Sequence, residues 1–478
     1  MNEFIGRERE IRALNEAYAA ARSAFIPIYG RRRVGKSELI LHWLREKRGV
    51  YFLGKKGSAA IQIREFLAEA AVVQNEPLLA MLQTNDWKVA IEAVMDRSKG
   101  QKLVLVFDEF QWTAEASPEL PSVLQALWDR RFRDRNEVVL ILCGSYVGFM
   151  EREVLGKKSP LFGRRTAQIL LAPFEHREAA LFHPSLSVVD KAKIFFLCGG
   201  VPLYLRRFSR AASVEMNIST NLLDDLGPLY YEPEFLLREE LREVESYYAV
   251  LLAMAMGART AAEIAKQSGI GDRSLQYYFK QLMDLGYVRR RYPLTGEGRP
   301  PARYVRYELD DALLRFWFRF IYPNMSFIQQ MGGSRALKDR LRPHLDAYFG
   351  TCFERLCRQA LPILYEQDGV SAAFEIGEYW DKTTQIDVVG VRDDGWTDIA
   401  ECKWGPVRSW KALEDELEAK VAAYPNRRNA TIGRRIFTQV AAPAEVVRSS
   451  RVRWHSLQDL YQSAPTTPRV TKKRLRVR

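Results

Sequence analysis

Residues 30–37 read GRRRVGKS, which fits the spacing G-x-x-x-x-G-K-[ST]. Glycines at Gly30 and Gly35 let the backbone turn its N–H groups toward an anion, and Lys36 and Ser37 follow directly. The segment lies between an apolar run, FIPIY at 25–29, and an amphipathic run, ELILHWL at 38–44. Strand, glycine loop and helix in that order place the loop at a helix N-terminus, where dipole and free N–H groups favour phosphate. Such a loop requires a strand of a parallel sheet, so the N-terminal part of the chain must be α/β. Lys36 is positioned to reach β- and γ-phosphates and Ser37 to ligate magnesium, so ATP and Mg2+ are the expected cofactors.

The next 140 or so residues agree with this. Apolar runs at Val50–Leu53, Leu103–Phe107, Val138–Cys143 and Ile169–Leu171 alternate with helical patterns at Glu38–Lys47, Ile61–Val73 and Val123–Arg133. Continuous apolar strands separated by helices indicate a parallel sheet covered on both faces. Asp108 ends the run KLVLVFDEF, where a carboxylate can hold magnesium against the loop, and Glu109 can orient or deprotonate the attacking water. Ser145 ends VVLILCGS; it either feels the γ-phosphate and positions water or closes an ordinary turn. Arg164 and Arg165 in FGRRT can stabilise transition-state charge in cis or in a neighbouring subunit, and surface charge is the equal alternative.

The chain has 478 residues, enough for several domains. Lys and Arg outnumber Asp and Glu by 72 to 59, a net charge of +13. That excess favours a polyanionic partner, nucleic acid (DNA favoured) ahead of an anionic membrane, over a merely basic soluble protein. Cys143, Cys198, Cys352, Cys357 and Cys402 form no CxxC pair, so buried reduced thiols are expected rather than disulfides or a zinc site. There is no signal-peptide core at the N-terminus. The longest apolar candidate, 313–321, is broken by Arg315 and Arg319. A soluble cytoplasmic protein with no membrane association is expected.

Thr260-Ala-Ala-Glu263 is a capping-box pattern opening a short helix, followed by the turn Ser268-Gly-Ile-Gly and a helix from Asp272. Two strand-like runs, from Tyr287 and from Arg303, flank a Gly/Pro-rich loop at 293–302. This is the grammar of a winged helix. Arg273, Lys280, Arg289, Arg290, Arg291, Arg299 and Arg303 can contact phosphates, or the unit can serve as a packing module. The aromatics Phe316, Trp317, Phe320 and Tyr322 fit an interdomain core better than a base-stacking platform.

Toward the C-terminus, Glu354 lies in a helical run, Asp387 in the strand-like QIDVVGV, and Glu401 and Lys403 in IAECKW. The strand period of two puts Glu401 and Lys403 on one face, where Asp387 and Glu401 can share a magnesium ion and Lys403 can hold water or stabilise phosphate charge. The alternative is a charged surface hairpin.

In order, Phe4-Ile-Gly-Arg-Glu8, the phosphate loop, FDEFQW, CGSY, FGRR and GGVP resemble the AAA-related ATPases abundant in archaea and also found in bacteria, which are similar to origin-recognition and STAND ATPases. The resemblance implies a 51432-type sheet with a helical lid, and Arg7 and Glu8 near the adenine side. The pattern QIDVVGV…ECKWG resembles the PD-(D/E)XK restriction-endonuclease-like domain usual at the C-terminus of these ATPases. Carried over, Glu354 is the helical carboxylate, Asp387 and Glu401 are metal ligands and Lys403 is the catalytic lysine; Ile386 replaces the proline of the motif. Lys420, on the helix from Trp410, supports the site or touches DNA.

The expected fold is thus α/β and multidomain. Its parts are a P-loop core at 1–175, a helical lid at 176–243, a winged helix at 244–310, a helical connector at 311–345, a nuclease-like domain at 346–463 and a basic tail at 464–478. The expected function is ATP hydrolysis gating Mg2+-dependent phosphodiester cleavage, in a possible homo-oligomer. The alternative is a nucleotide-switched STAND-like signalling or DNA-binding protein that does not cut.

Overall fold

The computed structural model describes residues 4–98, 100–296 and 304–462. Arg299, Arg303 and the basic tail at 464–478 lie outside the described residues. The chain divides into two compact units. One runs to Pro173 and includes Val201–Leu203 and Asp284–Gly286; the other holds Phe174–Gly200, Tyr204–Met283 and the chain from Tyr287 onward.

The first unit is built on a five-stranded sheet. Its strands are β1 (Ala24–Tyr29), β2 (Gly49–Leu53), β3 (Leu103–Asp108), β4 (Val138–Gly144) and β5 (Ile169–Leu170). They lie in the order β2-β3-β4-β1-β5, every neighbouring pair parallel. This is the 51432 arrangement that the resemblance implies. Every residue of β1, β3 and β4 is buried. Such strands must be covered on both faces, and alternate side chains feed two separate cores. Phe25, Leu105, Phe107 and Leu140 join one with Phe66 and Trp87, while Ile26, Val104, Val106 and Ile141 join the other with Leu39 and Trp43.

In the second unit, the helix Ala261–Ser268 begins at a complete capping box between Thr260 and Glu263 and ends at Gly269 with φ 71°. The helix Asp272–Asp284 buries Leu275, Phe279 and Leu282, one stripe at helical spacing. Strands β6 (Val288–Arg291) and β7 (Arg306–Leu309) form an antiparallel hairpin, and Phe279 stacks on Tyr307 with ring centroids 3.8 Å apart. Two helices and an antiparallel hairpin thus lie at the residues where the sequence analysis expects them. Phe316, Trp317 and Phe320 are buried, and the Trp317 indole donates to the Tyr230 carbonyl at 2.7 Å. These three aromatics are core, while Tyr322, expected with them, is half-buried.

The C-terminal sheet consists of β8 (Phe374–Trp380), β9 (Gln385–Arg392), β10 (Trp396–Lys403), β11 (Thr431–Thr438) and β12 (Arg453–Ser456), in the order β12-β11-β10-β9-β8. Pairing is antiparallel from β8 to β10 and parallel from β10 to β12. A 26-residue helix, Arg342–Gln367, covers one face. It approaches so closely that a Cβ at Gly390 of β9 would lie 2.1 Å from the Tyr365 hydroxyl. The boundary expected at 345/346 falls inside this helix. Its apolar stripe, from Leu345 through Phe349, Phe353 and Leu356 to Leu364, runs across that point without a break.

Candidate functional site

The phosphate loop leaves β1 at Gly30 and enters the helix Lys36–Leu44 at Gly35. A Cβ at position 30 would sit 2.2 Å from the Leu171 carbonyl oxygen, so only glycine lets the loop pass β5. Gly35 has φ 89°, a left-handed conformation that glycine adopts without steric cost. Lys36 is buried, and its ammonium donates to the carbonyls of Gly30 at 2.9 Å and Arg31 at 3.1 Å, which holds it across the loop. Burial pulls its pKa down, against the opposing pull of Cys143, Glu109 and Asp108. The Ser37 hydroxyl donates to Asp108 Oδ2 at 2.6 Å, and the Tyr51 hydroxyl donates to the same oxygen. A hydroxyl and a carboxylate that would share magnesium thus meet beside the loop, so these residues fit Mg2+-nucleotide. Tyr51 was missed by sequence reasoning. It sits on β2, and only the β2–β3 pairing brings it to Asp108.

Glu109 has φ 48°, unusual for a residue with a side chain, and its N–H is capped by Asp108 Oδ1 at 2.8 Å. Its carboxylate accepts from the Ser145 hydroxyl at 2.6 Å and from the Gln111 amide. Ser145 is therefore joined to the candidate base. Gln111, also missed, is the second holder. Arg7 is buried and donates to the carbonyls of Val34 at 3.2 Å and Ala172 at 2.8 Å, fastening the loop to the chain after β5. Arg164 forms a bidentate pair with Asp129, with its closest approach 2.6 Å, and also donates to Pro160 and Phe162 carbonyls. As an arginine finger it would have to leave that pair.

The second constellation lies where β9 and β10 part. Their ladder ends at Ala400 opposite Val388, so Asp387 and Glu401 are the next facing positions. On an antiparallel pair, directly opposite residues project to one face. Asp387 Oδ2 accepts the Cys402 N–H at 3.2 Å, which fixes its carboxylate at the opening. Glu401 is buried and paired with Lys420 of the helix Trp410–Ala423. Lys403 is exposed at the end of β10 and makes no ion pair among the described residues. The ammonium beside Glu401 is thus that of Lys420, which the sequence reading assigned only a supporting part. β10 ends at Lys403, whose side chain reaches solvent.

Electrostatics follow from crowding. Burial, then the Asp387 charge, pushes Glu401 up to about 8 despite Lys420. The same two causes raise Glu354 to about 7. Burial raises Asp387, against the pull of Lys420. Lys420 stays raised because Asp387 and Glu401 outweigh its own burial. Arg358 donates to the Asp387 carbonyl at 2.5 Å and lies 3.9 Å from Glu378. Asp387 and Glu401, as hard oxygen donors, fit Mg2+ as a pair. Among the described residues no three His, Cys, Asp or Glu side chains converge tightly enough to hold a metal.

On the helix Asp272–Asp284, Arg273 and Lys280 are exposed. Arg289 pairs with Asp310 and Arg291 with Glu308, both at 2.7 Å, and Arg290 lies over the Tyr307 ring. The wing strands' cations are therefore largely engaged within the protein. All five cysteines are free, and four are buried. No described helix is long and apolar enough to cross a membrane.

The sheet order and the loop geometry define a P-loop ATPase domain. Residues 4–208 match the family described as an ATPase domain predominantly from Archaea, and residues 317–414 match a family of archaeal and bacterial proteins of unknown function. The chain is similar to an uncharacterized protein of Methanocaldococcus jannaschii, 28% identical over 432 residues, covering 90% of this chain and 92% of the relative. The Walker-type ATPase of Pyrococcus abyssi aligns with a TM-score of 0.51 at 18% identity, over 66% of this chain and 96% of that one. The ORC2 protein of Aeropyrum pernix aligns with a TM-score of 0.43 at 14% identity, over 69% and 97%. The Pyrococcus likeness concerns fold alone.

Proposed function

We propose that the chain hydrolyses ATP and acts on nucleic acid, DNA by preference, and that its C-terminal domain cleaves phosphodiester bonds with Mg2+. The observation that carries the nuclease reading is Asp387 facing Glu401 where β9 and β10 part, with Lys420 on Glu401. A divalent ion there would polarise a phosphoryl oxygen and acidify a bound water. Asp387 and Glu401 would hold it, with water and phosphate oxygens completing its shell. Lys420 offsets the negative charge of the pair and can turn a donor toward the phosphate. Glu354, titrating near 7, can exchange a proton close by at neutral pH.

In the ATPase domain, Lys36 binds phosphate, Ser37 and Asp108 take magnesium, and Glu109 orients the attacking water. Ser145 and Gln111 aim the Glu109 carboxylate. The test is cleavage of single- and double-stranded DNA and RNA with Mg2+ or Mn2+, with and without ATP, beside an Asp387→Asn variant. Wild type should cut and the variant should not; equal cutting by both would refute the site.

The Glu401–Lys420 ion pair, which engages a carboxylate that a metal would need, favours a second reading, a nucleotide-switched protein that binds nucleic acid without cutting. It predicts slow turnover, tight nucleotide retention and no cleavage under any of these conditions.

A further inference from the structure

Within the second unit a cavity of about 310 Å³ opens between the winged-helix module, the helix after it and the long helix 342–367. Its walls carry seven arginines and three glutamates. Glu308 pairs with Arg291 at 2.7 Å and Arg355 at 2.6 Å, and Glu378 lies 3.9 Å from Arg358. The other four arginines have no carboxylate within ion-pair distance among the described residues. Arg259 and Arg306 donate instead to the one amide oxygen of Gln385, at 3.3 and 3.4 Å. Arg315 donates to the Leu309 carbonyl at 3.1 Å, and Arg319 reaches the Met256 sulfur at 3.6 Å. The Nε atoms of Arg315 and Arg355 are buried without any hydrogen-bond partner.

Arg306, Arg315 and Arg319 are half-buried and Arg259 is exposed. Gathering four cations with no carboxylate among them is unfavourable, because like charges repel and partial burial costs solvation, unless an anion joins them. The cost registers on Arg306, which burial and then Arg259 pull down, and on Arg355, which burial and then Arg315 push down to about 10 although Glu308 pairs with it; Arg315 shifts the other way, because Tyr348 and Cys352 outweigh its burial. Planar guanidinium groups converging from several elements suit phosphate oxygens, which accept bidentate pairs. The cavity volume falls at the small end for ligand sites, near what one nucleotide fills. Glu354 lines the cavity too, and Arg358 also bonds the Asp387 carbonyl, so the space adjoins the carboxylate site.

We propose that this cavity is a nucleotide-phosphate site, taking a 5′-phosphorylated nucleotide either as the end of a strand presented to the carboxylates or as a free mononucleotide. The placement beside the carboxylates rests on the nuclease reading; phosphate binding does not.

The full chain carrying Lys36→Ala, which silences the P-loop, would be titrated in EDTA, where no metal-dependent cutting occurs. The probes are AMP and a single-stranded oligonucleotide of about ten nucleotides with or without a 5′-phosphate. The parent should bind the phosphorylated probe or AMP at least about tenfold more tightly than the unphosphorylated strand. Arg306→Gln and the exposed Arg259→Gln should each remove most of that preference, Arg306→Lys should retain much of it, and Arg451→Gln, of equal charge change, should leave it intact. Loss confined to the strand assigns a strand end, and loss confined to AMP assigns a free nucleotide. If the parent shows no phosphate preference, or if Arg259→Gln with an unchanged melting curve keeps it whole, the site is refuted. A chain that binds phosphate in EDTA yet never cuts with Mg2+ refutes the nuclease reading alone.

Discussion

Glu401 titrates near 8 because it is buried beside a second carboxylate, and the consequence for stability has a definite sign. The folded chain holds this proton more tightly than the unfolded chain, where a glutamate titrates at about 4.3. Its contribution is therefore full below about pH 4.3 and is lost as pH rises toward 8. In EDTA, wild type should lose melting temperature between about pH 5 and pH 8 relative to Glu401→Gln. Parallel curves for the two would show that burial and Asp387 do not control this group. At the same scale, Lys420→Ala should lower metal-dependent cleavage about a hundredfold or more, the order expected for losing a group that stabilises charge. Lys403→Ala should cost less than about tenfold. Reversal of that order would return the role to Lys403. Sequence spacing picked out Lys403 because the E-x-K pattern is contiguous. Lys420 lies on another element, and nothing in a linear pattern marks which lysine a helix delivers to a strand.

At the scale of elements, local chemistry and packing agree most closely in the helix Ala261–Ser268. Thr260 accepts the Glu263 N–H while the Glu263 carboxylate accepts the N–H groups of Thr260 and Arg259. Thr260→Ala should cost about 1 kcal/mol, the usual worth of such a cap, read by chemical denaturation. A loss below about 0.3 kcal/mol would mean that tertiary packing alone holds the helix. The helix Asp272–Asp284 was legible because its apolar residues keep one stripe, and β1, β3 and β4 because they are unbroken apolar runs. The helix Trp87–Asp96, capped by Asp86, was not anticipated. It supplies Trp87 and Ile91 to the core over the sheet. The wing shows the limit of reading charge by count. Arg289 and Arg291 look like phosphate contacts in sequence, but their partners Asp310 and Glu308 sit just across the hairpin.

For the whole molecule, the two candidate sites make separable claims. If ATP gates cleavage, Lys36→Ala should abolish ATP binding and turnover and make cleavage insensitive to ATP, while Asp387→Asn should abolish cleavage and leave turnover in place. ATP-stimulated cleavage by Lys36→Ala would break the proposed link. The sequence by itself determined the P-loop, the parallel sheet that carries it, the helix-turn-helix and the strands bearing Asp387 and Glu401. Each of these depends on residues close together in the chain, through glycine conformations, caps and apolar periodicity. Only the tertiary structure decided what converges from a distance. It brought Tyr51 to Asp108 and Lys420 to Glu401, tied Arg164 to Asp129, and gathered arginines from three segments around one cavity. Strand pairing and helix packing fix those meetings, and neither the sign nor the spacing of charges along the chain specifies which will share a site.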